Sequence, residues 1–227
     1  MMKKILKRIH NLFLLLGVDI SLVKKQTKIS SLQHNSKESM HAFYADPQNV
    51  KQYLGSERIR FYNSIITLLK EKNYDLSKKE IVDIGCGTGH LLLYISQYFK
   101  PFALTGFEYV ESALEIARKT LPSANFVYYD IYEESIYQFD FIFCTEVLEH
   151  LLYPDKALKN LEKMLKPGGV LLLTIPNGRS DTYEGHINFW SPESWSIFLS
   201  NNLPQIKIET GVIGGTDLYG IIQKVKA

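Results

Sequence analysis

From residue 47 onward the chain alternates stretches of helical period with short β-like runs, and this alternation is what most narrows its fold. The β-like runs fall at 80–84, 102–107, 125–128, 139–144, 169–175, 205–210 and 217–224. Helical segments at 89–99, 111–120, 155–165 and 192–200 lie between most of them, and Pro47 opens a further helical stretch to about Lys72. Strand–helix alternation through short connections implies a parallel, doubly wound sheet with right-handed crossovers. The last two runs, joined through Gly211, Gly214 and Gly215, have a hairpin pattern that adds an antiparallel strand. The expectation is a seven-stranded α/β domain over 47–227, the last strand antiparallel, with residues 1–46 in front of it.

Within that pattern one segment stands out: Ile81-Val82-Asp83-Ile84-Gly85-Cys86-Gly87-Thr88-Gly89-His90-Leu91. It is a buried-type strand, a glycine turn and the start of an apolar helix. Glycines there let backbone approach a ligand closely and take positive φ without a Cβ clash. The turn falls at the carboxyl end of the first strand, where open α/β sheets bind ligands. Its G-x-G-x-G spacing differs from the G-x-G-x-x-G of dinucleotide enzymes, which disfavours an NAD-dependent dehydrogenase.

Acidic groups recur at the ends of the following strands. The second ends in Glu108, about 20 residues past the turn, where a carboxylate can accept both hydroxyls of a ribose. The third ends in Asp130 and the fourth in Thr145-Glu146. A rim of carboxylates suits a cationic, hydroxylated adenosine cofactor better than a pyrophosphate.

Asp83-Ile84-Gly85-Cys86-Gly87-Thr88-Gly89, Glu108, Asp130, the 139–150 segment and Leu165-Lys166-Pro167-Gly168-Gly169 together resemble the class I S-adenosylmethionine-dependent methyltransferases, over about residues 58–225. The resemblance implies a Rossmann-like fold with S-adenosylmethionine as cofactor. It implies that Asp83, Gly85, Gly87 and Gly89 form the methionine end of the cofactor site and that Glu108 holds the ribose. Asp130 and Ile131 would frame the adenine, and Thr145 would lie near the sulfonium. Arg60, in the helix before the turn, would match an arginine that meets the cofactor carboxylate in related quinone-pathway enzymes.

A sulfonium activates its own methyl group, so the protein mainly positions an acceptor and excludes water. Glu146-Val147-Leu148-Glu149-His150 follows the fourth strand, where the acceptor should sit. His150 is the first candidate for a general base, oriented by Glu149 or Glu146. Two further readings stand beside it. The Glu-x-x-Glu-His pattern is similar to that of quinone-pathway and small-RNA O-methyltransferases, where such residues hold a metal, with His186 as a distant fourth ligand here. Alternatively these side chains only cap the turn, and no metal ligand is assigned. The long loop 178–190 reads as a lid whose Tyr183, His186, Phe189 and Trp190, with Trp195 beyond, could face a sugar or a flat ring.

Residues 1–28 hold seven bases against Asp19 alone, so the formal net charge of +2 hides a basic arm and a mildly acidic body. Ile5, Ile9, Leu12, Phe13 and Leu16 recur at helical spacing among the bases, giving a basic amphipathic helix suited to an anionic membrane surface or to packing. Residues 24–46 read as a polar linker. No apolar run reaches the ~20 residues that span a bilayer, and the acidic body lacks a face for tracking phosphates. Two cysteines, Cys86 and Cys144, make no disulfide framework. The sequence thus points to a cytoplasmic enzyme, its residues 1–28 either meeting the inner face of a membrane or packing on the body, that O-methylates a small acceptor such as a sugar or sugar–lipid precursor. The alternatives are a metal-assisted O-methyltransferase of a quinone or aromatic intermediate, and a non-catalytic accessory protein that binds S-adenosylmethionine. No nucleic-acid partner is expected, and the oligomeric state is not readable.

Overall fold

The computed structural model describes residues 35–225, so the amphipathic helix expected within residues 1–28 lies outside the described part. Helix α1 (Lys37–Ala45) is capped by the Ser36 hydroxyl, which accepts from the Ser39 N–H. It occupies ground expected to be polar linker: its apolar residues Met40, Phe43 and Tyr44 pack on Val110 and Ala113. Asp46 and Pro47 then start α2 (Pro47–Lys51), Asp46 capping and Pro47 supplying its fixed φ. A 3-10 turn (Gln52–Leu54) follows. The single helix expected from Pro47 to Lys72 is interrupted at Gly55, whose extended backbone (ψ 155°) ends the turn and caps α3 (Ser56–Glu71).

The remainder alternates β1 (Glu80–Ile84), α4 (His90–Phe99), β2 (Ala103–Glu108), α5 (Glu111–Thr120), β3 (Asn125–Tyr128), β4 (Phe139–Thr145), α6 (Pro154–Lys163), β5 (Leu165–Pro176), α7 (Pro192–Asn202), β6 (Lys207–Ile213) and β7 (Asp217–Gln223). The seven strands form one sheet in the order β3-β2-β1-β4-β5-β7-β6. β1 to β5 pair in parallel, and β7 runs antiparallel to both β5 and β6, as the hairpin pattern predicts. β5 starts earlier than expected: Leu165 already pairs with Phe139, and a register shift carries Lys166–Gly169 past before Val170 meets Phe141.

Both faces of the sheet are covered, so the central strands are continuously apolar rather than alternating. The pleat sorts their side chains. Ile81, Phe141, Phe143 and Leu172 pack with α3, α4 and α5, while Val82, Ile84, Ile142, Leu171 and Leu173 pack with α6 and α7. Asp83 therefore points to the first face although it sits in a buried apolar strand, with 2% of its surface exposed. The carboxyl ends of the parallel strands share one edge, and the strand order reverses between β1 and β4. That switch point is where such sheets place their ligands. Among the described residues no helix is long and apolar enough to cross a membrane.

Candidate active site

A cavity of about 340 Å³ opens at this edge, within the size range of small-molecule sites. The glycine turn forms its floor. Gly85 has φ +71°, and a Cβ built on it would stand 2.5 Å from Val147 Cγ2. Gly89 has φ +77° and begins α4, but it packs behind the turn against Phe126 and Ala117 and does not line the cavity. Asp83, Gly85, Gly87, Glu108, Asp130, Ile131, Thr145, Glu146 and His150, all anticipated from the sequence, do line it.

Glu108 is buried at the end of β2 and accepts three backbone N–H groups. Gly87 donates to Oε2 at 3.0 Å, while Tyr109 and Val110 donate to Oε1 at 2.9 and 3.1 Å. Burial pushes its pKa up, and those three N–H groups pull against that rise. They also fix the carboxylate at the lip of the glycine turn, and Oε2, which accepts a single N–H, keeps acceptor capacity. Among the described residues Asp83 Oδ1 has no hydrogen-bond partner although it is fully buried. Burial first, and then the charge of Glu108, raise its pKa well above the usual carboxylate range. A buried carboxylate with a vacant oxygen beside a backbone cradle is built to meet a cationic or hydrogen-bonding ligand.

Arg60 does not belong to this cavity. Its side chain is 70% exposed and pairs weakly with Glu57 at 3.9 Å. Arg58 takes the place expected for it: two residues are about 200° of helical turn, so the two side chains face opposite ways. Arg58 lines the cavity and lies over the rings of Tyr53 and Phe61 at 5.7 and 5.6 Å. Burial is the largest single influence and works to lower its pKa, but Glu146, Tyr53, Tyr62 and Glu149 together outweigh it and raise it. A sequence signal for Arg58 existed, since it is in helical phase with Tyr62, Ile65 and Leu69, all buried. α1 roofs the cavity from above. Tyr44 and Tyr53 share a 2.8 Å hydrogen bond over the glycine turn, and Asn35, Met40 and Tyr109 complete that wall.

The Glu-x-x-Glu-His segment does not become a regular helical turn. Glu146 takes φ +56°, a left-handed conformation rare for a residue with a side chain, and Leu148–His150 form a 3-10 turn. Glu146 accepts from the Thr174 hydroxyl at 3.0 Å; burial, with Asp217 nearby, lifts its pKa to about 7. Glu149 lies just behind the cavity wall, 1% exposed, and among the described residues nothing beyond its own backbone N–H meets either carboxylate oxygen in a hydrogen bond. Burial and then Glu146 raise its pKa well above the ordinary value.

Two imidazoles face that carboxylate, with His150 Nε2 at 3.8 Å and His186 Nε2 at 3.9 Å from Glu149 Oε1. Potential ligand atoms of Glu149, His150 and His186 lie within 4.8 Å of one another. The tautomers follow from the partners of the other ring nitrogens. His186 Nδ1 meets Asp181 Oδ2 at 2.5 Å, and His150 Nδ1 meets Asn35 Oδ1 at 3.1 Å and the Gly185 carbonyl at 3.2 Å. Those partners only accept, so each Nδ1 donates, and each Nε2 is the ring atom turned toward Glu149. Burial and then His186 lower the His150 pKa to about 4, which keeps the ring neutral.

His186 reaches this place because loop 178–190 folds back on the 3-10 turn. Ile187 and Asn188 N–H both donate to the Glu149 carbonyl, at 2.9 and 3.0 Å. The Asn188 amide donates to the Leu151 carbonyl at 2.7 Å and to the Leu148 carbonyl at 3.2 Å. Of the aromatic residues anticipated as a ring-binding lid, Trp190 and Trp195 instead pack with Phe198 against the sheet. Tyr183 and Phe189 are about half exposed and stand outside the cavity wall.

A model of the methyltransferase domain family matches residues 54–202. The ubiquinone biosynthesis O-methyltransferase of Rickettsia bellii (strain OSU 85-389) is 31% identical over 172 residues, 70% of this chain and 72% of that protein. Among solved structures, a SAM-dependent methyltransferase from Aquifex aeolicus aligns with a TM-score of 0.65 at 18% identity, covering 79% of this chain and 99% of that one. The plantazolicin methyltransferase BpumL in complex with SAH aligns with a TM-score of 0.63 at 19% identity, covering 86% and 97%. The two structural likenesses speak for the fold. The glycine cradle, the vacant Asp83 oxygen and the Glu108 carboxylate fit an adenosyl sulfonium amino acid as ligand. On the family match and the Rickettsia relative together, the chain belongs to the class I S-adenosylmethionine-dependent methyltransferases.

Proposed function

We propose that this enzyme transfers the methyl group of S-adenosylmethionine to a hydroxyl oxygen of a small acceptor, beside a divalent metal held by Glu149, His150 and His186. The observation that carries this reading is the buried Glu149 carboxylate, which among the described residues has no hydrogen-bond partner beyond its own backbone N–H and faces the Nε2 atoms of two imidazoles at 3.8 and 3.9 Å. A buried carboxylate left so is costly unless a cation or proton meets it. Ligating histidines ordinarily donate their second ring N–H to a carboxylate or carbonyl, as His186 does to Asp181 and His150 to Gly185. Two imidazoles with a carboxylate suit a divalent transition ion. When bound, such an ion supplies Lewis acidity that eases loss of the acceptor's hydroxyl proton.

The chain's own residues do the rest. Glu108 would take the ribose hydroxyls, Asp130 and Ile131 the adenine, and Asp83 with Gly85 and Gly87 the methionine end. Arg58 would meet the cofactor carboxylate. Thr145 and Glu146 end β4 beside the sulfonium, so the acceptor oxygen is held near the line of methyl transfer while α1 keeps water out. His150, the first base candidate by sequence, serves in this reading as a ligand.

The name of the Rickettsia relative makes an aromatic or quinone-type hydroxyl the first acceptor class to test, ahead of a sugar or sugar–lipid precursor. The test is a radiolabelled methyl assay with catechol-type and saccharide acceptors, alongside metal analysis of the purified chain. Activity lost in EDTA and restored by Mn²⁺ or Mg²⁺ supports the reading. Full turnover in a metal-free preparation overturns it in favour of His150 as base, and cofactor binding without transfer to any acceptor indicates an accessory role. Peripheral contact of residues 1–28 with anionic membranes, proposed from their seven bases, predicts that liposomes sediment the full chain but not one lacking residues 1–28.

A further inference from the structure

We infer that Asn35 is a positioning residue: it holds His150 in the tautomer that turns Nε2 toward Glu149, and it ties that ring to the loop carrying His186. The inference rests on the metal reading for its purpose, though not for its geometry. The Asn35 amide leaves no ambiguity of orientation. Its nitrogen lies 2.7 Å from the Gly185 carbonyl and 3.3 Å from the His150 carbonyl, and both can only accept. The nitrogen of the amide is therefore Nδ2, and Oδ1 is the atom facing His150 Nδ1 at 3.1 Å. An oxygen there obliges Nδ1 to carry the proton. The second acceptor of that proton, the Gly185 carbonyl, is itself placed by the Asn35 nitrogen, so one side chain sets both contacts.

Asn35 is in turn held from the cofactor side. Its carbonyl accepts from the Tyr109 hydroxyl at 3.2 Å, and Tyr109 directly follows Glu108. α1, which begins two residues later, docks on the end of β3 and on the start of α5. Lys37 Nζ donates to the Tyr128 hydroxyl at 3.0 Å, and the Ser112 hydroxyl donates to the His41 carbonyl at 3.3 Å. Three segments far apart in sequence thus meet at one amide: the roof over the cofactor cavity, the 3-10 turn bearing His150, and the acceptor-side loop. Seating the roof and preparing the histidine become the same event.

The test uses the full chain labelled with ¹⁵N, reading the ring nitrogens of His150 at pH 7.5 and assigning them by their loss in His150→Gln. The wild type should show a protonated Nδ1 and a bare Nε2. Asn35→Ala should move the ring toward the Nε2–H form, whereas Asn35→Asp, which keeps an acceptor for Nδ1–H, should keep the wild-type pattern. Mn²⁺ titration by calorimetry should show roughly 10–100-fold weaker binding in Asn35→Ala, the range for lost supports of a ligand. A wild-type ring pattern in Asn35→Ala overturns the inference, even if that variant melts at a lower temperature, because a purely structural role would do only that. If the wild type itself binds no Mn²⁺, the metal reading fails, and the ring pattern still decides the role of Asn35.

Discussion

Substituting Gly85 by Ala tests the turn that defines the cofactor cradle, and its cost can be worked from two separate terms. The backbone there has φ +71°, which an L side chain tolerates at about 1–2 kcal/mol. The added methyl would stand 2.5 Å from Val147 Cγ2, far inside contact distance, and such overpacking costs about 1–3 kcal/mol. Gly85→Ala should therefore lose about 2–5 kcal/mol, or roughly 5–20 °C in Tm at 2–4 °C per kcal/mol for a domain of this size. The terms are separable because the Val147 Cβ lies 3.7 Å from the built methyl, an ordinary contact. Val147→Ala deletes the clashing atoms and leaves the backbone strain. Alone it should cost about 1–2 kcal/mol for its lost methyl groups. In the double variant the clash is gone, so the sum of the single losses should exceed the double loss by about 1–3 kcal/mol. Urea unfolding followed by circular dichroism gives all three values. Strict additivity would show that the close approach of Val147 is not what excludes a side chain at Gly85.

Glu108→Ala should weaken S-adenosylhomocysteine binding by roughly 10–150-fold, the 1.5–3 kcal/mol of hydrogen bonds to a charged group, with calorimetry as the check. Arg58→Ala should weaken the same binding by about tenfold or more, while Arg60→Ala, on the exposed face of α3, should stay within about twofold. The reverse order would restore the arginine assignment made from sequence.

The fold was legible because its signals are local and repeated. Apolar strands, the G-x-G-x-G turn and the capped helices each announce themselves within a dozen residues, and the carboxylates Glu108 and Asp130 fall where strands end. The reading slipped where one residue's phase mattered. Arg60 was preferred to Arg58 because the resemblance supplied an arginine but not a helical face. Gly55 went unread as a break because the flanking stretches both look helical. The metal-type cluster was visible only in part, since Glu149 and His150 are adjacent whereas His186 arrives through a loop fold that no local pattern encodes. Asn35 and Asp181 had no signal at all: each acts on a histidine through a single hydrogen bond, and Asn35 does so across 115 residues.

The buried carboxylates of the 146–150 segment carry a stability cost of their own. Glu146 ordinarily titrates near 4.5 and here near 7, so the folded chain holds a proton the unfolded chain releases; its contribution is full below pH 4.5 and is lost as pH rises through 7. Glu149 is shifted in the same direction and further. His150 runs the other way, ordinarily near 6.5 and here near 4, so its contribution is present above pH 6.5 and lost as pH falls through 4. Between pH 6.5 and 8 only the carboxylates act, and the urea midpoint of the metal-free chain should fall across that window. Glu149→Gln removes that carboxylate's titration, so the variant should exceed wild type at pH 8 by more than it does at pH 5. Adding Mn²⁺ should raise the wild-type midpoint at pH 8 and leave Glu149→Gln nearly unchanged. A flat wild-type profile, or a variant that gains equally at both pH values, would mean that Glu149 is not an uncompensated buried acid.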